Sequence, residues 1–128
     1  MIAEYRLSAL WKVAERLMAR SGSHSIEHTR RVYDLCLFLG TKLGADLSIL
    51  LPAAILHDIG KRRDAADHAE ESAKLSEDVL MELGCKEKGS NRIIEAIRTH
   101  SFSGVRRPRS LEAEILSDAD KLDAIGAV

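Results

Sequence analysis

Five aromatic residues (Tyr5, Trp11, Tyr33, Phe38, Phe102) and two prolines are all this chain of 128 residues has of the residue types that build and bound β-sandwiches. Alternating apolar and polar strand patterns are missing too, which excludes an all-β architecture. Cysteine is equally scarce. Cys36 and Cys85 show no CxxC spacing, so a zinc ribbon or disulfide scaffold is excluded, and the pair reads as packing thiols in a reducing compartment. Neither sign of charge dominates: 19 Lys plus Arg against 20 Asp plus Glu leave a net charge of −1. No overall field therefore draws nucleic acid or anionic lipid to the chain. The longest apolar run, Ile49 to Leu56, is much too short to span a bilayer, and no signal-peptide pattern follows Met1. With 45% hydrophobic residues a core can form without staples. The expectation is a single cytoplasmic domain spanning 1–128.

Helical spacing recurs along the chain. Leu7, Leu10, Trp11, Ala14, Leu17 and Met18 mark a first helix ended by Ser21-Gly22. A second follows Ser23 or Ser25, carries Val32, Leu35, Cys36 and Leu39 on one face, and closes near Gly40 or Gly44. A third opens near Asp46 or Ser48 and reaches His57; its Pro52 lies either in the first turn or at a bend. A fourth runs from about Asp67 to Leu83 with Gly84 at C′. The fifth follows Ser90 with Ile93, Ile94, Ile97 and His100; the sixth follows Ser110 with Ile115, Leu116, Ala119, Leu122 and Ile125. The fold class is thus all-α, a bundle of about six helices. The closing run Ala124-Ile125-Gly126-Ala127-Val128 lacks a polar ending; either this helix caps the edge of the bundle or, the favoured expectation, the bundle is truncated at its C-terminus.

Leu56-His57-Asp58-Ile59-Gly60-Lys61 sets an imidazole beside a carboxylate at the end of an apolar helix. A charge there needs a partner, and a divalent cation would serve; a turn-capping Asp58 and a core His57 fit the dipeptide equally well. His28 lies on the inward stripe of the second helix, and Asp120 belongs to a helix with three carboxylates within six residues, Asp118, Asp120 and Asp123. His28, His57, Asp58 and Asp120 together offer two neutral nitrogens and two carboxylates. That donor mix suits Mn²⁺, Fe²⁺, Co²⁺, Ni²⁺ or Zn²⁺ better than an all-oxygen Mg²⁺ site. In an octahedral shell two positions stay open, as a catalytic site requires.

The ordered set His28, His57-Asp58, Asp120 resembles the signature of the HD-domain superfamily of metal-dependent phosphohydrolases. The wording around it is similar as well: Ser23-His24-Ser25-Ile26-Glu27-His28-Thr29-Arg30-Arg31-Val32, Ala54-Ile55-Leu56-His57-Asp58-Ile59-Gly60-Lys61 and Asp118-Ala119-Asp120-Lys121-Leu122-Asp123-Ala124-Ile125-Gly126. Within the superfamily the chain looks most similar to small stand-alone HD proteins, whose last helices run on past the Asp-Ala-Ile-Gly stretch. The resemblance implies a helical HD bundle, with His28, His57, Asp58 and Asp120 holding one divalent metal (Mg²⁺ included) and room for a second. It also implies hydrolysis of a phosphate ester or anhydride of a small metabolite, a nucleotide foremost, by metal-activated water.

Lys61, three residues after Asp58, is the first candidate to hold a phosphate. His68 and His100 are candidates for a second ion, for phosphate contact or for proton donation to the leaving group; idle helix-end histidines are the alternative. Arg106, Arg107 and Arg109, or Arg62 and Arg63, could clamp phosphate, although short charge runs are more often solvated surface. His24 reads as a loop or capping residue; Glu70 and Glu71 could relay protons, although they read more readily as surface. Partners reduce to a small phosphorylated substrate and a second copy covering the apolar C-terminal edge, with no membrane and nucleic acid disfavoured. Rival readings are a metal-containing sensor that binds a phosphorylated ligand without turnover, and a di-iron oxygenase.

Overall fold

The structure, a computed structural model, describes residues 4–21, 26–60, 68–85, 88–101 and 110–126. His24, Lys61, Arg62, Arg63, Arg106, Arg107 and Arg109 lie outside the described residues. The described residues form six helices, in order α1 (Glu4–Ser21), α2 (Ile26–Leu43), α3 (Leu47–Leu56), α4 (His68–Glu82), α5 (Lys88–Thr99) and α6 (Leu111–Ala124). No strand occurs among the described residues, in agreement with the all-α expectation.

The architecture is organised around α3. Residues 49–56 of this helix are all buried, so it is apolar on every side, as a helix must be when its neighbours surround it. It packs against α1, α2, α5 and α6. Its start is pinned by polar groups. Asp46 is the N-cap, its carboxylate accepting the Ser48 N–H at 3.0 Å. The Asp46 N–H in turn donates to buried Glu112 of α6 at 2.8 Å, and Arg92 of α5 donates to the other Glu112 oxygen at 3.0 Å. An apolar helix fixed at its N-terminus delivers the residues beyond its C-terminus into the interior. Those residues are His57 and Asp58.

One boundary, the start of α5, departs from the sequence expectation, and at Pro52 and at the end of α2 the structure chooses between alternatives the sequence left open. Pro52 is the sixth residue of α3, inside the helix and not in its first turn. Ser90 does not precede α5 but sits in its first turn, donating its hydroxyl to the Cys85 carbonyl at 2.5 Å. Gly44, with φ of +73°, ends α2. Gly40 lies within that helix, where a Cβ would stand 2.7 Å from Leu50 Cδ2; its smallness lets α2 and α3 approach. Leu122 of α6 and its C-cap Ile125 are exposed (37% and 76%), because Ala113, Leu116 and Ala119 form the face that α6 turns inward. Cys36 and Cys85 are buried free thiols.

Candidate metal centre

Three elements meet at one point. His57 is the C-cap of α3 and fully buried. Helix C-termini carry carbonyls without intrahelical partners, and one of them, Ala54 O, accepts the His57 Nδ1–H at 2.7 Å. That bond leaves Nε2 facing Asp58 and Asp120. His100, just past the end of α5, repeats the device, donating Nδ1–H to Ile97 O at 2.5 Å. Asp58, only 6% exposed, is held in a turn that α4 supports from behind. The Gly60 N–H donates to Ser72 Oγ at 2.8 Å, and a Cβ on Gly60 would stand 2.5 Å from the Ser72 nitrogen. Only glycine permits that approach.

His28 in the first turn of α2 brings its Nε2 to 2.9 Å from Asp120 Oδ1 and 3.6 Å from Asp58 Oδ2. The His57 Nε2 lies 3.3 Å from the same Asp120 oxygen and 3.6 Å from Asp58 Oδ2. One ligand atom from each of His28, His57, Asp58 and Asp120 lies within 4.8 Å of the others, a group able to hold a metal ion. His100 flanks it, its Nε2 3.8 Å from Asp120 Oδ2 and its ring centroid 5.1 Å from that of His57. His68 opens α4, half-buried, and is not in the group.

Charge explains the protonation pattern of the centre without a metal. Burial opposes charging of His57, yet the Asp58 and Asp120 carboxylates and the Ala54 carbonyl outweigh it and raise the ring to about 9. Hydrogen bonding to Asp120 likewise raises His28, despite the opposing cost of desolvation. His100 goes the other way: burial, then repulsion from His57, lower it to about 4. Desolvation works against ionised Asp120, but the His28 and His57 N–H groups hold it far below the usual carboxylate range. Cys36 is pushed up to about 12 by burial, so its thiol is inert.

The donor set fits a divalent cation. The nearly buried Asp58 and the partly exposed Asp120 converge on two imidazoles, and Asp58 Oδ2 is buried with no hydrogen-bond partner. An orphaned carboxylate oxygen inside a protein needs a counter-charge, and a cation shared by the four ligands supplies it. The sequence reading missed one participant. Asp123 of α6, side chain 4% exposed, accepts the His28 Nδ1–H on Oδ2 at 2.5 Å and the Arg31 Nε–H on Oδ1 at 2.7 Å. The Arg31 N–H, then the His28 bond, hold its carboxyl below the ordinary value against desolvation. Glu70, read as surface, accepts from Arg98 Nε at 3.0 Å.

Comparisons with known proteins agree with this geometry. The HD domain family model matches residues 25–125. The uncharacterised protein YpgQ of Bacillus subtilis (strain 168) is 35% identical over 116 residues, covering 88% of this chain and 56% of its own length. Ribonuclease Y of Alkaliphilus metalliredigens (strain QYMF) is 35% identical over 103 residues, 80% of this chain but 20% of that protein. The chain thus spans about half of one curated relative and a fifth of the other. A predicted HD superfamily hydrolase from an uncultured Thermotogales bacterium superposes with a TM-score of 0.78 at 32% identity, covering 92% of this chain and 68% of that one. A Lactobacillus plantarum protein gives 0.77 at 32%, covering 97% and 58%. With a matched family model over most of its length, and a helical bundle shared with an HD superfamily hydrolase, this chain belongs to the HD-domain family.

Proposed function

We propose that this chain is a metal-dependent phosphohydrolase cleaving a phosphate ester or anhydride of a small metabolite, a nucleotide foremost. The observation that carries the reading is the convergence of His28, His57, Asp58 and Asp120 around an Asp58 oxygen with no hydrogen-bond partner. Those four side chains would hold one Mn²⁺, Fe²⁺, Co²⁺, Ni²⁺, Zn²⁺ or Mg²⁺ ion. When bound, such an ion supplies Lewis acidity toward a phosphoryl oxygen and acidifies a water molecule.

The residues of the chain do the rest. His28 and His57 each spend Nδ1 on a protein acceptor and so present Nε2 to the centre. His100 also spends Nδ1–H, on Ile97, and is neutral at pH 7; its Nε2 offers a lone pair beside Asp120. In this reading His100 accepts a proton or hydrogen bond, in place of the donor role that the sequence suggested. Burial of His57 and near-burial of Asp58 keep bulk water from the inner side, where electrostatic stabilisation of spreading phosphoryl charge is strongest. Lys61 and His68 complete the proposed set as phosphate contacts.

Release of phosphate or pyrophosphate from a nucleotide panel with Mn²⁺ tests the reading. Wild-type protein is expected to turn over at least one substrate, and His57→Ala to abolish turnover; inactivity with every metal tried, including Co²⁺ and Mg²⁺, sinks it. A second reading, a phosphodiester bond in RNA, is favoured by relatives named ribonuclease Y that match up to 90% of the chain. Cleavage of a short RNA with no nucleotide turnover would select it.

A further inference from the structure

We propose that Asp123 is a positioning residue that decides which nitrogen His28 presents to the metal centre, with Arg31 holding Asp123 in place. The inference rests on the metal-centre reading and concerns the polarity of helix ends. His57 and His100 stand at helix C-termini, where carbonyls lack partners. Each ring finds an acceptor three residues back, Ala54 O and Ile97 O. His28 stands in the first turn of α2, where a helix offers unpaired N–H groups and no free carbonyl. Its Nδ1–H therefore needs an acceptor from another element.

Asp123 supplies one from α6, 95 residues away in sequence. The ring is then held between two carboxylates of the same helix: Asp123 on Nδ1 and Asp120 on Nε2. Asp123 must itself be fixed to do this. Its side chain is 4% exposed, and each oxygen accepts from one donor, Arg31 Nε on Oδ1 and His28 Nδ1 on Oδ2. Because Arg31 and His28 are both on α2, three residues apart, Asp123 also clamps α6 to α2 beside the ligand pair. A carboxylate behind a ligating histidine sets its tautomer and ring angle and makes the ligand more basic.

The test uses Zn²⁺ alone as probe on the full chain, through histidine ¹H–¹⁵N correlation spectra and Zn²⁺ titrations. In the wild type, His28 is expected to carry its proton on Nδ1 with Nε2 on zinc. Asp123→Ala should lose that protonated Nδ1 signal and bind Zn²⁺ about 10–100-fold more weakly. Asp123→Asn keeps an acceptor oxygen and should restore the signal with most of the affinity, which a purely structural loss would not. Arg31→Gln, at an exposed position, should weaken binding by a smaller factor. An Asp123→Ala protein with unchanged affinity and unchanged His28 signals overturns the role. So does a zinc-loaded wild type in which His28 is protonated at Nε2 and binds zinc through Nδ1, a result available even if Asp123→Ala fails to fold. Wild-type protein that takes up no Zn²⁺ overturns the metal centre itself, and with it this role.

Discussion

In the proposed centre a proton and a divalent cation would compete for the same nitrogen of His57. The desolvated ring is nonetheless raised to about 9 by Asp58 and Asp120, so at pH 7 the metal-free protein carries a proton that metal must displace. Apparent affinity should therefore rise about tenfold per pH unit for each proton released between pH 6 and 9, and level off above. Calorimetric titration with Mn²⁺ in two buffers of different ionisation enthalpy measures the protons released; a dissociation constant indifferent to pH over this range contradicts the mechanism. Two buried rings, His57 and His100, shape the stability of the metal-free chain in opposite senses. His57 titrates higher folded than unfolded, so its contribution is complete below about 6.5 and is lost as pH rises through 9. His100 titrates lower when folded, near 4, so the unfolded chain takes up its proton first. Stability should fall by about 3 kcal/mol as pH drops from 6.5 to 4. Urea unfolding of the metal-free protein across pH shows this loss if the account holds, and His100→Gln should flatten the acid flank.

At the scale of elements, Gly60 packs the turn that carries Asp58 against α4. A methyl group there would meet the Ser72 nitrogen at 2.5 Å and the Glu71 carbonyl carbon at 2.6 Å, both backbone atoms of a helix that cannot yield locally. Gly60→Ala should destabilise the fold by about 1–3 kcal/mol, the usual range for overpacking, and weaken metal binding because Asp58 stands two residues away. Urea unfolding and a Co²⁺ titration together check it; unchanged values in both would refute the contact. The chain shows how far such features are legible without coordinates. Helix existence was, since apolar spacing near 3.6 residues recurs outside the uniformly apolar α3, and Gly44, Gly84 and Ser110 mark ends by their backbone chemistry. Pro52 was left open between the first turn and a bend, and the start that decides it, at the Asp46 cap, was legible. The exposure of Leu122 and Ile125 was not, since periodicity gives a stripe but not its outer limit. The four candidate ligands were legible as a group through motif order. Asp123 was hidden among neighbouring carboxylates, and only the unmet need of an N-terminal histidine for an acceptor could have singled it out.

At the scale of the molecule, the four candidate ligands come from α2, the end of α3 and α6, elements separated by as many as 92 residues between His28 and Asp120. A cation held there would bind the native arrangement and not the unfolded chain, in which these side chains are far apart. Mass action then makes it a staple: at a free metal concentration one hundred times the dissociation constant, stability rises by about 2.7 kcal/mol. For a domain of this size that corresponds to roughly 10 °C in the unfolding midpoint. Chelation should remove the increment, and restoring Mn²⁺ should return it. The size of the effect should grow with the logarithm of metal concentration, since saturation of one site has that form. Asp120→Asn gives the decisive contrast. It retains the side-chain volume at a position contacting both His28 and His57 but removes the charge that holds their protons and would hold the ion. The variant should show almost no metal-dependent shift in midpoint. A variant and wild type that respond equally to Mn²⁺ would mean that the ion binds elsewhere.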